Sequence, residues 1–118
     1  MFTLVGLKAI INKIQEAIDA DNSTLVLSLK FDFYSTITSM DVERLKAEVK
    51  ERSTKYQATP LIFAAANNIP LDAIVLLCEA GSDLNAVNSV GTTALVEALF
   101  YGYCDIVDYL FDIHKFLF

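Results

Sequence analysis

The side chains best equipped for chemistry here are one histidine, two cysteines and a scatter of carboxylates, and their spacing assembles no familiar reactive site. His114 is the only histidine, and no serine or cysteine is linked to it in sequence. A nucleophile needs an oriented base and donors for a developing oxyanion. No catalytic residue is therefore assigned, and the chain is expected not to be an enzyme. Cys78 and Cys104 fall at unrelated positions within apolar helical patterns. A disulfide framework needs more cysteines and a metal site needs clustered ligands, so both are expected as buried or half-buried thiols in a reducing compartment. Asp19, Asp21 and Asn22 loosely resemble an acidic calcium loop, but the glycine and the bidentate glutamate are missing. Helix capping explains them better. There is no glycine-rich phosphate loop, and no cofactor or metal is expected. What remains is recognition chemistry, concentrated in the aromatic run Phe100-Tyr101-Gly102-Tyr103.

Composition narrows the class of partner. The 118 residues have room for one domain, and 54% are apolar, with a mean hydropathy of +0.44. So much apolar surface in so small a chain leaves some of it exposed. That points to self-association, a protein partner or a continuing array. Fifteen acidic against nine basic side chains give a net charge of −6. A phosphate backbone needs clustered Lys and Arg, so nucleic acid is excluded as partner, and a protein with a basic surface is favoured. The N-terminus lacks a basic region before an apolar core, and Lys8, Asn12, Lys13 and Gln15 interrupt the apolar residues after it. No apolar run approaches the ~18 residues that span a bilayer. A cytoplasmic protein with no membrane contact is expected.

The elements that must position any site read as helices. Leu4, Leu7, Ile11, Ile14 and Ile18, with Ile10 and Ala17 beside them, form an apolar stripe over residues 4–20. Asp21-Asn22-Ser23 ends this helix and can cap the next. Residues 24–34 alternate as a strand would, yet Leu25, Val26, Leu29 and Phe33 also form a helical stripe; with no strand to pair with, helix is preferred. Ser35 to Ser39 reads as a break. Thr38 with Asp41 fits a capping box, opening a helix over 40–51 with Val42, Leu45 and Val49 inward and a mixed-sign outer face that includes the pair Glu48–Arg52. After a loop over 52–59, Thr59 caps a helix starting at Pro60. Further helices are expected from 71 to 80, ended by Gly81, from 93 to 101, with a turn at Gly102, and from 104 to about 115.

These last elements repeat. Thr59-Pro60-Leu61-Ile62-Phe63-Ala64-Ala65 returns 34 residues later as Thr93-Ala94-Leu95-Val96-Glu97-Ala98-Leu99, and Asp72-Ala73-Ile74-Val75-Leu76-Leu77 returns one residue closer as Asp105-Ile106-Val107-Asp108-Tyr109-Leu110. A period near 33 means stacked units, none of which buries its apolar face alone. The pattern Thr59-Pro60-Leu61, Ala64-Ala65, Ile74-Val75-Leu76-Leu77 and Gly81-Ser82-Asp83-Leu84-Asn85-Ala86, continued by Gly91-x-Thr93-Ala94-Leu95, Ala98, Gly102 and Asp105-Ile106-Val107, resembles the ankyrin repeat. The resemblance is clear over about residues 53–112 and weak over 1–52. It implies an all-α fold: one domain over 1–118, a short solenoid of three to four helix-turn-helix units, with degenerate units in 1–52 and recognisable repeats at 53–87 and 88–118. A shortened unit is expected over 33–51, because Asp41-Val42-Glu43-Arg44-Leu45 reads like the family's second helix. The family's histidine is replaced by Ile62 and Val96, and the turn before Leu71 carries an extra residue including Pro70.

The same resemblance implies a protein-binding module working through hairpin tips and the groove of the first helices. Carried onto this chain, the tips are Asn88, Ser89, Val90 and Thr92, with Thr54, Tyr56 and Gln57 before them. The groove residues are Phe63, Asn67, Glu97, Phe100 and Tyr101, with Tyr103 completing the aromatic cluster. Two other functions stay open: a small acidic inhibitor or immunity-type protein covering a basic site, and a structural module that self-assembles. The apolar end Ile113, Phe116, Leu117 and Phe118 would belong to a longer array, serve a homodimer or a partner, or fold back on its own helix.

Overall fold

A computed structural model describes residues 6–117, with side chains over 6–114. Among the described residues the secondary structure is helical throughout: α1 Leu7–Asp19, α2 Ser23–Ser39, α3 Val42–Glu48, α4 Pro60–Ala66, α5 Leu71–Glu79, α6 Ala94–Tyr101 and α7 Cys104–Leu117. Antiparallel pairs α1/α2, α4/α5 and α6/α7 stack side by side, with α1 against α4 and α4 against α6 on one side, and α2 against α5 and α5 against α7 on the other. The particle measures 42 × 31 × 23 Å.

Several boundaries have a local cause. Asn22 caps α2 by accepting from the Leu25 amide at 3.2 Å, and Thr59 and Thr93 do the same for Ile62 and Val96 at 3.2 and 3.3 Å. Gly102 ends α6 in the left-handed region at φ +75°, which lets the Tyr103 amide reach back to the Ala98 carbonyl. Small residues set the spacing between units: Ala64, Ala65, Ala73 and Ala98 are fully buried, and the larger Leu61, Ile62, Ile74, Leu77, Ile106 and Leu110 fill the space between. Phe33 joins the first pair to the second, its ring edge-on to Phe63 with centroids 5.3 Å apart.

Several expectations are corrected. The helix over 24–34 does not break at Ser35; it runs to Ser39. Thr38 Oγ1 donates to the Tyr34 and Ser35 carbonyls and Ser39 Oγ to Ser35 O, so these hydroxyls bond within the helix and make no capping box. Residues 33–51 are therefore the end of α2 plus the single helix α3, with no helix pair of their own. The stack has three pairs among the described residues. Ile18 and Val42, expected inward, are 42% and 62% exposed. Glu48 pairs with Arg44 rather than Arg52 and also caps α1, accepting the Leu7 amide at 2.6 Å across 41 residues. Arg52 turns away to the inter-unit loops. The apolar C-terminal residues Phe116, Leu117 and Phe118 lie outside the side chains described; Ile113 is half-buried against the core.

Candidate functional site

Three inner helices and two loops enclose a groove of about 530 Å³. Gln15 and Ile18 enter from α1, Ile62, Phe63, Ala66 and Asn67 from α4, and Glu97, Phe100 and Tyr101 from α6. The loop before α4 contributes Ser53, Lys55, Tyr56 and Ala58, and the loop before α6 contributes Asn88, Val90 and Thr92.

The loops are built rather than slack. Tyr56 and Gln57 both adopt left-handed backbone, at φ 67° and 54°, which costs energy for residues with a Cβ. Ser53 offsets this by bonding across the turn: its Oγ donates to Lys55 O at 2.6 Å and accepts the Ala58 amide at 2.9 Å. Asn12 on α1 clamps Thr54 with two bonds, at 2.9 and 3.1 Å. Arg52 Nη1 donates to the Gln57 carbonyl at 3.0 Å and the Val87 carbonyl at 2.7 Å, tying one loop to the next. The Ser89 amide completes the link, donating to Tyr56 O at 2.7 Å. Asn88 organises the second tip: its Oδ1 accepts the Val90 and Thr92 amides, both at 3.1 Å.

Charge in the groove is sparse. Lys55 Nζ lies 2.7 Å from Asp19 Oδ2 and 5.3 Å from the Tyr56 ring centroid. That hydrogen bond lowers the Asp19 pKa and raises the Lys55 pKa. The aromatic residues form a chain along the end of α6: Phe100 stands edge-on to Tyr101 at 5.0 Å, and Tyr101 stacks on Tyr103 at 5.7 Å. Phe100 is 78% exposed and Val90 70%. Their apolar surface meets solvent, where it adds nothing to the core.

The groove gathers all the predicted contact residues except Thr54, Gln57, Ser89 and Tyr103. Within it, Phe63 and Asn88 are buried, so each supports the wall; Asn67 donates to the Phe63 carbonyl at 2.9 Å and closes α4. Tyr103 is half-buried against the core, and the Ser89 amide is held by Tyr56. Thr54 and Gln57 bond within their own loop and with α1. Sequence reasoning missed Gln15, Ile18 and Lys55. Ile18 had a signal, since it sits at the edge of the α1 stripe, whereas Lys55 is placed by Asp19, 36 residues away. Of the cysteines, Cys78 is half-buried and its pKa is pushed up to about 12 by burial. Cys104, expected buried or half-buried, is exposed because it opens α7 on the solvent side. No helix among the described residues is long and apolar enough to cross a membrane.

The caps and alanine-lined contacts of α4 to α7 agree with comparison to known families. A family description, ankyrin repeats in three copies, matches residues 36–116, most of the chain. No curated protein and no solved structure matches it. The chain belongs to the ankyrin-repeat family, whose repeats are generally protein–protein interaction modules.

Proposed function

We propose that this chain is a non-enzymatic binding module whose protein partner docks in the groove between the inner helices and the loop tips. The observation that carries this reading is the exposure of Phe100, Tyr101, Tyr56 and Val90 around one concavity whose loops are held by Arg52, Ser53 and Asn12. Exposed aromatic rings on a pre-ordered wall bind at low entropic cost. The net charge of −6 favours a partner with a basic surface, and two free thiols suit the reducing cytosol. Affinity capture with the wild-type chain and with the double variant Phe100→Ser, Tyr101→Ala tests the reading. A partner held by the first and lost by the second, with both folded, is the expected result. Equal capture by both would refute it.

Self-association through the end of the stack is a second reading, supported by the repeat register. Val96, Leu99 and Phe111 are 45%, 57% and 59% exposed. They occupy the positions of Ile62, Ala65 and Cys78 in the preceding unit, where α4 and α5 pack against α6 and α7. A homodimer through α7 and this face would cover them. Light scattering on dilution should then show a dimer that Leu99→Asp with Phe111→Asp dissociates. A wild-type monomer at all concentrations would exclude it.

A further inference from the structure

Glu97 is the one charge in the groove wall without a counter-charge. Lys55 is held by Asp19 at 2.7 Å, while Glu97 has neither a hydrogen bond nor an ion pair among the described residues. It is half-buried on α6, one turn before Phe100 and Tyr101, so all three share a helix face. Any segment that fills the groove removes water from this carboxylate. Covering it with apolar or neutral groups alone would leave a desolvated charge without a partner, which is strongly unfavourable. An acidic segment would add repulsion, locally and from the net charge of −6.

We infer that the groove takes a protein segment carrying an arginine flanked by apolar side chains, the guanidinium pairing with Glu97 beside the Phe100 and Tyr101 rings. The inference rests on the groove reading above and specifies its partner. A cation within about 6 Å of a ring face is attracted by the ring quadrupole. The planar guanidinium can stack on a ring and bond a carboxylate at once, which an ammonium does less well. The flanking apolar side chains have Val90, Ile18 and Tyr56 to cover.

The test uses the intact chain and a phage-displayed library of random peptides. Enriched sequences are synthesised with a fluorescent label, and affinities are measured by anisotropy on the wild type, Glu97→Gln and Tyr101→Leu. Both substitutions are at solvent-accessible positions, and unchanged melting temperatures would verify the fold. The expected result is enrichment of arginine beside aliphatic or aromatic residues, with at least a tenfold loss of affinity on Glu97→Gln. Replacing the peptide arginine by glutamine should cost a similar factor on the wild type and little further on Glu97→Gln, since the two changes remove one interaction. Peptides that lose binding on Tyr101→Leu but carry no arginine and ignore Glu97→Gln would overturn the inference and leave the groove reading standing. Peptides indifferent to both variants, or no enrichment at all, would overturn both.

Discussion

Phe33 and Phe31 lie two residues apart on α2 and should respond to truncation to very different extents. Phe33 is fully buried and stands edge-on to Phe63, so it takes part in the contact between the first helix pair and the second. Phe31 is 66% exposed. Phe33→Ala loses the transfer energy of a buried ring and leaves a cavity, together about 3–5 kcal/mol. Within that, the edge-to-face contact accounts for roughly 0.5–1.5 kcal/mol. With an unfolding entropy of about 2.1 cal/mol/K per residue, the 118 residues give about 0.25 kcal/mol/K, so a loss of about 4 kcal/mol lowers Tm by about 16 °C. Phe31→Ala should change stability by less than about 0.5 kcal/mol. Urea and thermal unfolding of both variants provide the measurement. A Phe33→Ala loss below about 1 kcal/mol, or equal losses for the two, would refute the docking of α2 against the second helix pair.

The loops and the thiols yield two further predictions. Arg52→Met keeps the apolar stem but removes both bonds to the Gln57 and Val87 carbonyls. It should cost about 1–2 kcal/mol and speed exchange of the Ser89 amide, and unchanged exchange there would show that Arg52 does not hold the loops together. With the Cys78 pKa at about 12, a thiol reagent at pH 8 should modify Cys104 in the folded chain and spare Cys78, as peptide mapping would show. The folded chain holds the Cys78 proton more tightly than the unfolded one, which stabilises the fold wherever that proton is bound. This contribution is intact below pH 9.0 and lost as pH rises toward about 12. Cys78→Ala should therefore show a shallower alkaline fall in urea stability than the wild type.

The second half of the chain was legible because its signals are local. Thr59-Pro60, Thr93, Gly81 and Gly102 mark helix ends through their own backbone chemistry, and the structure places the ends there. Ser35 to Ser39 misled because hydroxyls that favour a break can also bond carbonyls in their own helix. Glu48 and Arg52 have the spacing of a helical pair, yet α3 ends at Glu48. Each is then drawn to a distant backbone group: Glu48 to Leu7, Arg52 to Val87. The groove was legible in outline because hairpin tips and inner helices repeat with the same period. Beyond the position of Ile18 at the edge of the α1 stripe, sequence could not supply the contribution of α1, since the Asp19–Lys55 pair depends on how the first helix pair sits against the second.

Site-specific photo-crosslinking tests the central claim most directly, because it asks where a partner touches. A benzophenone side chain replaces Phe100 at the groove in one variant and Phe31 on the far face of α2 in another, each expressed in the native cells and irradiated. The groove account predicts a discrete protein adduct from position 100 that is absent from position 31. An adduct from position 31 alone, or none from position 100, would contradict it.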